Sequence, residues 1–98
     1  MKGQDGTLQT VTHAGLRAEY DPGADALYVY LSDQEYAYGR DLDDARRVDY
    51  AADDSPVGVE VLSPRAAGVA VAGLPAADRI AEIVRRLGFR VTAEAALG

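Results

Sequence analysis

From Leu16 onward, apolar and polar residues alternate. Leu16, Ala18 and Tyr20 are separated by Arg17 and Glu19, the period of two that marks a half-buried strand. Asp21-Pro22-Gly23 then breaks the pattern: Pro22 fixes φ, Gly23 permits positive φ, and Asp21 can accept from the turn's own backbone N–H groups. Ala26–Leu31 is dense in β-branched and aromatic residues and predicts a second strand, so residues 16–31 read as a hairpin. Ser32–Glu35 is the next turn, and Tyr36–Asp41 a third strand weakened by Gly39. Arg46–Tyr50 follows the Asp43-Asp44 turn, with Val48 and Tyr50 alternating against Arg47 and Asp49. After a turn at Ala52–Pro56, Val57, Val59 and Val61 share one face of a last strand, Val57–Leu62. The prediction is an antiparallel β-meander of four to five strands.

The period changes near residue 72. Ile80, Ile83, Val84 and Leu87 fall at i, i+3, i+4 and i+7, one stripe of an α-helix. Pro75 suits the first turn of such a helix, and Gly88 suits the left-handed position just past its end. Phe89 follows where an apolar contact often folds back onto the last turn, and Glu82 with Arg86 adds an i, i+4 pair. The fold class is therefore α+β, a meander followed by one amphipathic α-helix packed on the sheet. Residues 1–14 read as a flexible tail or a weak edge strand, 15–89 as a single domain, and 90–98 as a frayed C-terminal tail. No internal repeat is expected.

Composition makes the core thin. Hydrophobic residues are 48% of the 98-residue chain, but alanine supplies much of that figure, so the six tyrosines must contribute bulk. A domain of this size buries roughly 60–70% of its unfolded surface and folds alone only marginally. The absence of cysteine excludes disulfides, a thiolate nucleophile and a zinc ribbon. The net charge of −6 concentrates in residues 19–60, whereas arginines dominate the acids beyond residue 61. An acidic block repels phosphate backbones, so nucleic acid is not the expected partner, while a basic protein is a possible one. The N-terminus lacks the apolar region of a signal peptide, and Ala66–Ala77, the longest uncharged run, is far short of the ~20 residues that span a bilayer. Cytoplasmic location and no membrane contact are the expectations.

Candidate chemistry is sparse. His13 is the single histidine and lies in the predicted tail, where it cannot be fixed against a hydroxyl nucleophile. Asp41-Leu42-Asp43-Asp44 begins like a calcium loop but continues with Ala45 and Arg46 where a ligand and glycine belong. Asp21 and Asp25 bracket a turn and are assigned to capping backbone donors. Glu60 sits mid-strand, on the face opposite the valines. No catalytic, cofactor-binding or metal-ligating residue is assigned. Tyr28 and Tyr30 point away from the face of Leu27, Val29 and Leu31, so both faces of that strand are apolar or amphipathic. If the third strand pairs with the second, Tyr36 and Tyr38 oppose Leu31 and Val29. Gly39 and Ala37 then lie opposite Tyr28 and Tyr30. Either other parts of the chain cover these two tyrosines or they form a surface for self-association, since tyrosine is favoured at interfaces.

The run Tyr20-Asp21-Pro22-Gly23-Ala24-Asp25-Ala26-Leu27-Tyr28-Val29-Tyr30-Leu31-Ser32 resembles the opening of a small bacterial and archaeal family, domain of unknown function 2283. Val48-Asp49-Tyr50 and Val57-Gly58-Val59-Glu60-Val61-Leu62 resemble its closing strand pair. The likeness covers about residues 16–63 and departs at Ser55-Pro56, where the family usually carries a glycine. It implies a bacterial protein and a fold, but no activity. The leading expectation is a non-catalytic interaction module forming a homodimer through the Tyr28/Tyr30 face or an exposed strand edge. An antitoxin-like or immunity-like protein, its acidic block neutralising a basic partner, is the alternative. A small-ligand binder or enzyme is the third.

Overall fold

A computed structural model describes residues 7–92. Six strands form one antiparallel sheet: β1 (Gln9–His13), β2 (Leu16–Asp21), β3 (Ala26–Tyr30), β4 (Tyr38–Asp41), β5 (Arg46–Tyr50) and β6 (Pro56–Leu62). Their spatial order is β1-β2-β3-β6-β5-β4. A one-turn helix, α1 (Pro64–Ala67), the short strand β7 (Val69–Ala70), the main helix α2 (Ala77–Arg86) and β8 (Val91–Thr92) complete the described residues. The α+β class and the antiparallel sheet agree with the hydrophobic pattern. The strand count and the simple meander do not.

The difference lies at β3, whose second neighbour is β6 rather than β4. Val59 of β6 lies opposite Val29, and both are fully buried, whereas β4 carries Gly39, Arg40 and Asp41 and suits an edge. A central position goes to the strand with most apolar surface to bury. Tyr38 consequently pairs with Tyr50 on β5, not with Val29, and the two rings stack at 5.2 Å between centroids. The N-terminal boundary also moves. Gln9–His13 forms the edge strand β1, so structure begins before Leu16 and His13 is a strand residue opposite it. Val91–Thr92 pairs in parallel with Val69–Ala70, so the predicted C-terminal tail is ordered at its start. The remainder of both predicted tails, residues 1–6 and 93–98, lies outside the described residues.

The chain also contains a structural repeat that the sequence reading misses. Shifting the β2–β3 ladder by 30 positions reproduces the β5–β6 ladder. Arg17 opposite Tyr30 becomes Arg47 opposite Glu60, Ala18 opposite Val29 becomes Val48 opposite Val59, and Glu19 opposite Tyr28 becomes Asp49 opposite Gly58. The correspondence ends at a bulge between Asp49 and Tyr50. Val29 and Val59 are counterparts under the same shift and face each other across the β3–β6 ladder. An approximate two-fold axis normal to the sheet therefore runs between them, and it exchanges the two hairpins without exchanging the two faces.

One face carries the core: Leu16, Ala18, Tyr20, Leu27, Val29, Val48, Val59 and Val61 pack with Val69, Leu74, Ile80, Ile83 and Val84 from the C-terminal third. The α2 stripe is as predicted, with Ile80, Ile83 and Val84 fully buried. The helix ends as its sequence dictates. Gly88 takes φ +88° and donates to Arg85 O, and Phe89 donates to Val84 O, the paired bonds of a Schellman cap. Phe89 then packs edge-on against Tyr20, 4.8 Å between centroids. Pro75, however, precedes the helix rather than entering its first turn, because Ala76 adopts a left-handed φ of 57° before Ala77 begins α2.

Candidate functional site

The second face of the sheet is formed by the alternate residues, and among the described residues the helices and the β7–β8 pair pack on the opposite, valine-bearing side. A continuous row of polar and aromatic side chains crosses it. On β2, Arg17 pairs with Glu19 and lies over the Tyr30 ring, 3.9 Å from its centroid. The Tyr30 hydroxyl donates to Glu19 at 3.0 Å. Tyr30 meets Tyr28 edge to face, 4.8 Å between centroids. Tyr28 reaches over β6 and donates to Asp49 of β5 at 2.8 Å. Asp49 in turn accepts from Arg47 at 3.1 Å, and Arg47 donates to the Tyr36 hydroxyl at 3.1 Å. The Arg17–Glu19 and Arg47–Asp49 pairs are counterparts under the internal two-fold, with the tyrosine pair between them.

The row depends on a gap. Tyr28 crosses β6 at Gly58, where a Cβ would collide with the phenol ring and hydroxyl. Gly39 gives Arg47 similar room on the other side. Gly39 therefore does not lie opposite the tyrosines, as a pairing of the second and third strands would require. Burial, followed by the hydrogen bond to Asp49, pushes the Tyr28 phenol well above its ordinary range, so it stays a protonated donor. Replacing Gly58 by valine is expected to unseat Tyr28, break its bond to Asp49 and cost about 1–2 kcal/mol. Denaturant unfolding measures the loss, and tyrosine circular dichroism in the near ultraviolet reports the disturbed Tyr28–Tyr30 pair.

Of the two turn carboxylates, Asp21 acts within its own turn and Asp25 does not. Asp21 Oδ1 accepts from the N–H groups of Gly23 and Ala24. Asp25 sits at φ +52° and turns away from its own loop. Its Oδ1 accepts from the Tyr20 hydroxyl at 2.8 Å and from Arg65 N at 3.0 Å, and its Oδ2 from Ala66 N at 3.2 Å. Asp25 thus supplies the side-chain cap that Ser63, at the start of α1, does not. Glu60 opposes Tyr28 and Arg47 on the open face, so the structure does not gather Asp21, Asp25 and Glu60 into one site. Asp43, in the segment resembling a calcium loop, is bound to Ala45 N and to Arg46 N and Nε. Open hollows of about 410 and 480 Å³ flank that turn. Among the described residues, no three His, Cys, Asp or Glu side chains come together to hold a metal.

The alternation placed Tyr28 and Tyr30 on a face apart from the valines, and the structure puts them at its centre. Sequence reasoning did not connect Glu19, Asp49, Arg47 and Gly58 to them. The signal was present in the recurrence of Arg-x-acid-Tyr at residues 17–20 and 47–50.

Among the described residues, an antiparallel face without a covering element, a tyrosine pair and two flanking ion pairs mark this small α+β protein. Residues 17–63, which span both hairpins, match the family model described as "Protein of unknown function (DUF2283)". Through that segment the chain belongs to the family. No curated protein and no solved structure matches it.

Proposed function

We propose that this protein is a non-catalytic interaction module that self-associates, with the Tyr28/Tyr30 face as its contact surface. The observation that carries the reading is the arrangement of that face. Two half-buried tyrosines stand at its centre, each held by a carboxylate of another strand, with no described element laid over them. Side chains already fixed by hydrogen bonds lose little rotamer freedom on docking. Both signs of charge occur on either side of the tyrosines, so a second copy can meet the surface without placing only like charges in contact. Sedimentation of wild type against Tyr28→Ser, Tyr30→Ser is the test. An associated wild type whose mass the double substitution lowers is expected, and a monomeric wild type overturns the reading.

The charge distribution favours a second reading. Of the acids in residues 19–60, Glu19, Asp43 and Asp49 form ion pairs with arginine among the described residues. Asp33, Glu35, Asp53 and Asp54 gather in the loops at one end of the sheet, where Gln34 links to Asp53 and Tyr38 to Asp54. An antitoxin-like or immunity-like protein would use this acidity against a basic partner. A small basic protein encoded beside this one and binding it more weakly at high salt would support it.

A further inference from the structure

The internal two-fold makes the two edges of the sheet, β1 and β4, counterparts, yet their sequences treat them differently. The outer strand β4 is four residues long and carries Gly39, Arg40 and Asp41, the short and charged form that discourages further pairing. The other edge, β1, is Gln-Thr-Val-Thr-His, without charge, glycine or proline. Among the described residues nothing pairs with its outer side. Leu8, just before it, is 51% exposed. A β-rich edge without such protection is a template for another strand.

The order of residues in β1 indicates which strand. Thr10-Val11-Thr12 reads alike in both directions, so an antiparallel ladder centred on Val11 sets each Thr10 opposite Thr12 of a second copy and Val11 opposite itself. Both threonines are exposed and lie on the face of Glu19 and Arg17, their partners on β2. Val11 lies on the other face, packed against the core. We infer that β1 is a homotypic docking edge that joins two copies of this chain into one continuous twelve-stranded sheet. The pairing is isologous and uses the edge in both copies, so with β4 protected it closes at two chains and does not propagate. This contact is separate from the Tyr28/Tyr30 face, and a chain using both associates at two levels.

Charges at positions 10 and 12 test the register as well as the contact. In Thr10→Lys, Thr12→Lys, or in Thr10→Glu, Thr12→Glu, like charges oppose across the proposed ladder. Each variant is expected to sediment at half the wild-type mass, and an equimolar mixture of the two to recover the wild-type mass. Thr10→Lys, Thr12→Glu, which places opposite charges across the ladder, should stay associated. Far-ultraviolet circular dichroism establishes that each variant is folded. A folded variant of like charges that keeps the wild-type mass overturns the inference, as does a mixture that fails to reassociate. In the Tyr28→Ser, Tyr30→Ser background the two contacts separate. Dimers that persist there and are lost on adding Thr10→Lys, Thr12→Lys support the β1 edge independently of the face. Monomers there overturn it.

Discussion

Replacing Arg46 by leucine is expected to lower the unfolding free energy by about 2–4 kcal/mol, although leucine is the more usual residue for a core-facing strand position. Arg46 is 8% exposed and stands in line with Val48 on the face turned to the helices. Its Nη1 donates to the carbonyls of Ala70 and Ala72 at 2.8 and 2.7 Å, and its Nε to Asp43 at 3.0 Å. One guanidinium therefore fastens the β4–β5 turn and β5 to the chain around β7, which has few other polar ties to the main sheet. Leucine would fill part of the volume but leave two carbonyls without donors. Asp43 is 41% exposed and can be rehydrated, which keeps the loss below that of a fully buried pair. Lysine restores the charge but has no planar fork to reach three acceptors, so Arg46→Lys should recover only part of the loss. Guanidinium unfolding of the three proteins measures the series. A wild-type midpoint for Arg46→Leu would show that the β7 segment is held by packing alone.

Arg46 also shows where pattern reading stops. Alternation assigns it to the same face as Val48, but composition cannot say that a charged side chain on that face finds two carbonyls more than twenty residues away. The elements themselves were legible because their signals are local. The Asp-Pro-Gly turn defines the β2–β3 hairpin, the apolar stripe defines α2, and Gly88-Phe89 defines its Schellman cap. Strand order was not legible, since it depends on which strands bury each other best. Inserting β6 beside β3 places Val59 against Val29 and Gly58 beneath Tyr28, and neither contact follows from adjacency in sequence. The open face was half legible for the same reason. Tyr28 and Tyr30 stood out on their own strand, whereas the residues that hold them belong to β2 and β5. The repeated Arg-x-acid-Tyr marks β2 and β5 as counterparts, and the two-fold at Val29–Val59 follows only once β3 and β6 pair.

Asp25 should make folding sensitive to acid. Its burial opposes ionisation, but the N–H groups of Arg65 and Ala66, the Tyr20 hydroxyl and the Arg65 charge outweigh that effect and hold the carboxyl below its ordinary range. A carboxyl whose folded pKa is depressed stabilises the fold fully above its unfolded value and loses that contribution as pH falls through the folded one. Stability should therefore decline below about pH 4. Asp25→Ala removes every acceptor at once. It leaves the fully buried Tyr20 without its hydroxyl partner, uncaps α1 and places alanine at a left-handed φ, for an expected loss of about 2–4 kcal/mol near neutral pH. Asp25→Asn keeps an acceptor oxygen and tolerates the left-handed backbone, so it should lose about 1 kcal/mol near neutral pH. The distinguishing result is the slope. Asp43 is held below its ordinary range in the same direction and still titrates in both variants, so some acid sensitivity persists in each. The wild-type curve should approach that of Asp25→Asn as pH falls, because protonation removes the charge that asparagine already lacks. Parallel curves down to pH 2 would mean that the Asp25 bonds form without its ionisation and that the acid response originates elsewhere.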